Sequence, residues 1–259
     1  MRELLTHPNS TTFTQGSIFE GLNVNQDTYT NALVITARCD IANGKARNIL
    51  CLPIYKASEW LNNQGQEIVF RRVEGKLENK LKEQLKKLGI SFNLLSTYPL
   101  STITKLIDSA PPKKGCEDIK QHLNMFMSKK CDYSLKFVSD ERKNLSSSLI
   151  NNTENSIYFL EQIDLDEVLE PYVVDLSEPI SIPYTIAAKL LQGIKNRNTD
   201  DVINQYLTIY KKEISYISIL NSPYIEHILQ KFSNFYSRIG TEDIDKELVN
   251  ILKDKLNEI

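Results

Sequence analysis

Thr30-Asn31-Ala32-Leu33-Val34-Ile35-Thr36, then Asn43-Gly44, then Asn48-Ile49-Leu50-Cys51-Leu52-Pro53-Ile54: this stretch decides the fold. Ala32 to Ile35 are all apolar and Thr36 is β-branched, so residues 32–36 read as a strand buried on both faces. Asn43-Gly44 is a tight-turn signal, because both residues tolerate positive φ. Residues 48–54 read as the next strand. Pro53 has no N–H for a ladder, which predicts that this strand ends there or lies at an edge. Upstream, residues 17–22 read as a first strand. Residues 1–15 are polar and carry Pro8, and read as a loop or a loosely docked arm.

Beyond this stretch the period changes from two to about 3.6. Ser58 predicts the cap of a short helix with Trp60 and Leu61. Val69, Val73, Leu77, Leu81, Leu85 and Leu88 form one apolar stripe, a long helix stopped at Gly89. Short helices are predicted over 101–110 and 117–130, with Pro111-Pro112-Lys113-Lys114-Gly115 between them as a stiff polar linker. Residues 144–155 are rich in Ser and Asn and read as a connection. Residues 156–163 and 172–176 look like strands. Pro183 opens a helix that Gly193 stops. A helix is predicted over 200–220, another from Ser222-Pro223 to Gly240, and a last one carrying Ile244, Leu248, Ile251, Leu252, Leu256 and Ile259.

The predicted class is therefore α+β: a small barrel-like β module at 1–62 and a mostly helical remainder at 63–259. If the strands at 156–163 and 172–176 join the N-terminal sheet, the chain is one continuous domain and the linker reading fails.

Bulk properties narrow the function classes. With 259 residues the chain can bury a sizeable core. Only 9 glycines are present, and neither a dinucleotide loop nor a P-loop motif occurs, so no cofactor is expected. The net charge of -2 excludes a global polycation, so any electrostatic site is local. Cys39, Cys51, Cys116 and Cys131 form no C-x-x-C, which predicts free thiols and a cytoplasmic location. No apolar run is long enough to span a membrane, residues 1–25 lack a signal-peptide core, and no zinc or calcium pattern is present.

Four constellations could carry chemistry. Arg38, Cys39 and Asp40 follow the buried strand, and a cysteine beside an arginine can serve as a nucleophile if a histidine lies near. The plain alternative is a core cysteine with Asp40 capping the turn. Asp40 with Glu74-Gly75-Lys76 has the composition of a metal nuclease site, but the helical stripe puts Glu74 and Lys76 on a solvated face. Arg71, Arg72, Lys76 and Lys80 belong to a basic helix able to follow phosphates. Against that, Glu78–Lys82 and Glu83–Lys87 suit i,i+4 pairing, no aromatics interleave, and docking on the acidic segment 154–178 is a further option. His227, Lys231 and Arg238 share a helix face, either an anion site or the polar margin of a core helix.

Gly16-Ser17-Ile18, Thr30 to Thr36 and Cys51-Leu52-Pro53-Ile54-Tyr55 resemble, in order and spacing, the MazF and PemK toxin family of small RNA-cutting β-barrels. Thr30 or Asn31 stands where that family has arginine, and Tyr55 where it has threonine. The resemblance therefore implies the barrel and not the cleavage. Thr36 to Ala42, Asn221 to His227 and Phe232 to Gly240 are similar to a group of bacterial proteins with a C-D-I segment and a C-terminal S-P-Y…E-H…F…R-x-G segment. That resemblance implies a setting in mobile or defence gene neighbourhoods.

Two functions are expected from these readings. The first is a protein-binding or adaptor component of a bacterial multi-protein system, acting on a partner protein. The second is a nucleic-acid-binding or nuclease effector built on the barrel.

Overall fold

Strand alternation in residues 17–56 sorts side chains onto two faces. Ile18, Leu33, Leu52 and Ile54 point one way, and Phe19, Ala32, Val34, Ile49 and Cys51 point the other. The computed structural model describes residues 3–8, 13–25, 28–111, 115–166, 169–196 and 201–237, together with 248, 253 and 255. The predicted last helix lies almost wholly outside them.

In chain order the elements are β1 (Leu5–Thr6), β2 (Ser17–Asn25), β3 (Thr28–Val34), α1 (Arg38–Ala42), β4 (Asn48–Lys56), α2 (Ala57–Asn62) and α3 (Gln64–Lys87). After a 3-10 turn (Phe92–Ser96) come α4 (Leu100–Ser109), α5 (Cys116–Ser128), α6 (Lys136–Ile150), β5 (Ile157–Leu160), β6 (Tyr172–Asp175) and β7 (Ile180–Pro183). Then follow α7 (Tyr184–Ala187), a second 3-10 turn (Ala188–Gln192), β8 (Ile194–Lys195), α8 (Asp201–Tyr206), β9 (Glu213–Ile214), β10 (Tyr216–Leu220) and α9 (Tyr224–Tyr236).

The fold is α+β, with a curled antiparallel sheet, a half-barrel, at the N-terminal side and helices after it. Strand order is β1-β10-β2-β3-β4-β6-β5, with β7 also on β4. The later strands thus join the N-terminal sheet. One sheet face packs on α9 through Ile225 and Ile228. On the other face, Ile186, Ala187, Leu190, Ile203 and Leu207 cover β2–β4. The α3 stripe, with α4, α5 and α6, covers Val173 and Ile157 of the β6–β5 end. Both helices flanking the proposed linker belong to this helical cluster, and Lys120 pairs with Asp108 across it at 2.6 Å.

Five local readings change. Residues 5–6 of the supposed arm form β1, paired Leu5↔Leu220. The helix read over 200–220 holds only at α8; β9 and β10 replace the rest, because Ile214, Tyr216, Ser218 and Leu220 alternate with Ser215, Ile217 and Ile219 to bury one face. Residues 144–150 continue α6 rather than a loop. The hydroxyls of Ser146 and Ser147 donate to the carbonyls of Arg142 and Lys143, both at 3.0 Å, which satisfies them inside the helix. A helical turn, α1, precedes Gly44, and the Asp40 carbonyl, not its side chain, accepts Lys45 and Ala46 N–H. Pro53 does not end β4. β7 pairs residues 48–51 and β6 pairs residues 54–56, so Pro53 stands in the gap between two partners where no N–H is required.

Candidate functional site

The β3–β4 ladder runs from Val34↔Cys51 to Asn31↔Ile54 and stops. Both strands continue past it. Residues 28–30 stay with β2, and residues 55–56 stay with β6. The two strands therefore fork. The Thr30 hydroxyl donates to the Ile54 carbonyl at the inner end. Beyond that bond, Tyr29, Thr30, Asn31, Ile54, Lys56, Glu59 and Tyr210 line an open groove of about 280 Å³.

One wall is aromatic. Tyr29 and Tyr210 stack at 4.6 Å between centroids with planes 14° apart, and each is 44% exposed. Tyr210 lies 181 positions downstream, yet its segment is firmly held. Glu20 Oε1 accepts Lys211 Nζ at 2.6 Å and the Tyr210 hydroxyl at 3.2 Å, and Glu20 Oε2 accepts Ser215 N–H at 3.3 Å. Thr208 N–H donates to the Gly21 carbonyl at 2.8 Å, and the Thr208 hydroxyl donates to Asn23. This approach requires glycine: Gly21 has φ 81, and a Cβ there would stand 2.6 Å from the Thr208 carbonyl.

The rim carries both signs. Lys56 pairs with Glu170 at 3.6 Å, and Lys211 with Glu20. Glu59, in the first turn of α2, lines the same groove. Tyr55, between the groove residues Ile54 and Lys56, turns to the opposite sheet face and packs on the helical cluster. Its phenol is pushed up to about 12 by burial first and by Asp175 and Glu178 next. The two positions compared with the toxin family's cleavage residues thus lie on either side of the fork, with the Tyr55 side chain directed away from it.

The other candidates stand elsewhere. Arg38, Cys39 and Asp40 open α1, with Arg38 and Cys39 exposed and Asp40 half-buried. Cys39 Sγ lies 3.8 Å from Asp40 Oδ1, and no histidine hydrogen-bonds to it among the described residues. His122 instead meets Gln84 Oε1 at 3.0 Å in the helical layer. Glu74 and Lys76 lie on the outer faces of α3, away from Asp40 on α1.

The basic helix is divided among local partners. Arg72 binds Glu141 at 3.1 Å and Glu154 at 2.7 Å, so one contact with the acidic segment forms. Arg71 lines a groove with Glu67 and Glu74. Lys76 and Lys80 lie over the Phe137 ring, at 5.5 and 4.8 Å from its centroid. On α9, Lys231 points inward. Its ammonium donates to the carbonyls of Asn152 at 2.8 Å and Ile157 at 2.6 Å. Burial pushes its pKa down to about 8, partly offset by Glu154. His227 is exposed, and Arg238 lies outside the described residues. Among the described residues no group of three His, Cys, Asp or Glu is placed to hold a metal ion, and no helix is long and apolar enough to cross a membrane.

Tyr29, Tyr210, Lys56 and Glu59 are the residues that sequence reading passed over. Tyr29 carries a signal, an aromatic between two threonines at a strand start. Tyr210 carries none, because its segment reads as helix. The chain matches no family model, no curated protein and no solved structure.

Proposed function

We infer that this protein is a protein-binding component, an adaptor within a multi-protein assembly, and that its fork receives an extended segment of a partner. The observation that carries this reading is the parting of β3 and β4 under a fixed tyrosine stack. Residues 28–30 have β2 on one side and no strand on the other among the described residues. An unpaired strand edge is a template for strand addition, in which main-chain bonds supply affinity and side pockets supply selectivity. At about 3.3 Å per residue, three or four partner residues fit along it.

The stack suits a peptide. Tyrosine offers large apolar area at low entropy cost and is enriched where binding energy concentrates. The mixed rim of Lys56, Glu59, Lys211 and Glu20 favours a polypeptide over a polyanion, which needs cations unopposed. The nucleic-acid alternative draws less from this groove.

The test is selection from a displayed library of unstructured twelve-residue peptides on the full chain. Enriched peptides should bind at micromolar Kd, slow amide exchange in residues 28–31 and 55–56, and lose at least tenfold in affinity with Tyr29→Ala or Tyr210→Ala. An empty selection, or peptides indifferent to both substitutions, overturns the proposal.

A further inference from the structure

We propose a second site, independent of the fork: the groove between α3 and α6 binds a phosphate monoester. Lys76, Lys80, Leu135, Lys136, Phe137, Asp140, Glu141 and Asn144 enclose about 530 Å³. Lys76 and Lys80 stand one turn apart on α3, a spacing at which like charges repel. Both ammoniums are nevertheless gathered over one ring, Phe137, whose negative face attracts cations. Lys136, the residue before Phe137, opens α6 and lines the same groove.

The local carboxylates leave this charge largely free. Among the described residues none of the three ammoniums forms an ion pair, whereas Lys82, on the same helix, pairs with Glu78 at 2.6 Å. Glu141 is already bound by Arg72. Asp140 alone remains to oppose an incoming anion. Two ammoniums over one ring, with Lys136 lining the same groove, supply donors for the terminal oxygens of a phosphate dianion. The groove extends from Lys136 to Asn144, roughly 12 Å at the helical rise. It is longer than a phosphate, so the rest of the ligand lies along α6 toward Asn144, whose amide donates to Glu141 at 3.2 Å. The buried His122 ring backs Phe137 at 6.0 Å and senses the same charge: burial and then Lys80 hold its pKa down.

The test is an NMR titration of the full chain with adenosine monophosphate and, separately, inorganic phosphate at fixed ionic strength. Shifts should concentrate in the amides of residues 135–144, and the His122 pKa should rise on saturation. Lys76→Gln and Lys80→Gln should each weaken binding about tenfold, while Lys82→Gln stays within twofold. All three positions are solvent-facing, and an unchanged Tm verifies folding. Equal binding of both probes assigns recognition to the phosphate alone; tighter adenosine monophosphate binding assigns a share to the rest of the ligand. Chloride reproducing the shifts, or Lys76→Gln and Lys80→Gln leaving them unchanged, overturns the proposal. A single-stranded oligonucleotide binding more tightly, with steep salt dependence, overturns it in favour of a nucleic-acid interface.

Discussion

Replacing Lys231 with Met should alter how stability depends on pH more than it alters stability itself. The ammonium of Lys231 joins α9 to the α6–β5 connection through the carbonyls of Asn152 and Ile157. It is half-buried, and its pKa falls from 10.5 to about 8. Between those values the unfolded chain binds a proton that the folded chain does not, so stability rises with pH. The contribution is complete above 10.5 and is lost as pH falls through about 8. At about 1.4 kcal/mol per pH unit the bound is about 3 kcal/mol. Part of the side chain remains in contact with solvent, and screening reduces this to about 1–2 kcal/mol. Tyr55 works the other way. Its phenol keeps its proton up to about 12 in the folded state, so its contribution is present below the usual tyrosine range and lost as pH rises through about 12. Tyr55 is common to both proteins and cancels in the difference. Trp60, the single tryptophan and 1% exposed, reports unfolding in urea. Measured at pH 7, 8.5 and 10, the stability of wild type minus that of Lys231→Met should grow by about 1–2 kcal/mol. Parallel profiles would refute the reasoning, because they require a Lys231 that titrates as a solvated amine.

Two further perturbations test the layout. Arg72→Met removes both ion pairs that hold α6 and Glu154 to α3, and should cost about 1–2 kcal/mol at low salt and clearly less in about 0.5 M NaCl; a urea midpoint unchanged at both salts rejects this clamp. Cys39 is exposed whereas Cys51 is buried with its thiol pushed far up by desolvation, so maleimide should modify Cys39 in the native protein and Cys51 only after unfolding. Mass spectrometry showing Cys51 labelled first would contradict the placement of β4 in the core.

What was legible in the sequence follows the range of the forces involved. The α3 stripe is local, six apolar residues on one face, and α3 lies where it predicts. The central strands are equally plain, since Ala32 to Ile35 meet apolar neighbours on both faces. Serine misleads in α6, because its helix propensity is modest and its bonds to the i−4 carbonyl are invisible in composition. The segment around β10 misleads for a different reason. Ile and Leu recur there at intervals that satisfy a helical reading, and the alternation that buries Ser218 becomes decisive only when β1 and β2 are present on either side. Asn43-Gly44 correctly marks a reversal, but five residues of α1 intervene and move the turn.

Beyond Tyr29 the fork was illegible because its parts are not encoded in one place. Its opening follows from β4 serving three partners. β3 holds its middle on one side, while β7 and β6 divide the other side at Pro53. Past Ile54 the strand remains with β6 and leaves β3, which continues with β2. Its wall then depends on contacts that join positions almost 200 residues apart, Glu20 with Lys211 and Gly21 with Thr208. A chain that needed only a closed barrel could continue the β3–β4 ladder to Tyr29 and keep Tyr210 buried. Here Tyr29 and Tyr210 are instead held face to face at the surface, and the Tyr210 segment is fixed by six side-chain and main-chain bonds to β2. Order of that kind around exposed aromatic area lowers the entropy cost of binding rather than that of folding, and it is the physical reason to place the proposed peptide site at the fork rather than at the Arg38-Cys39-Asp40 turn.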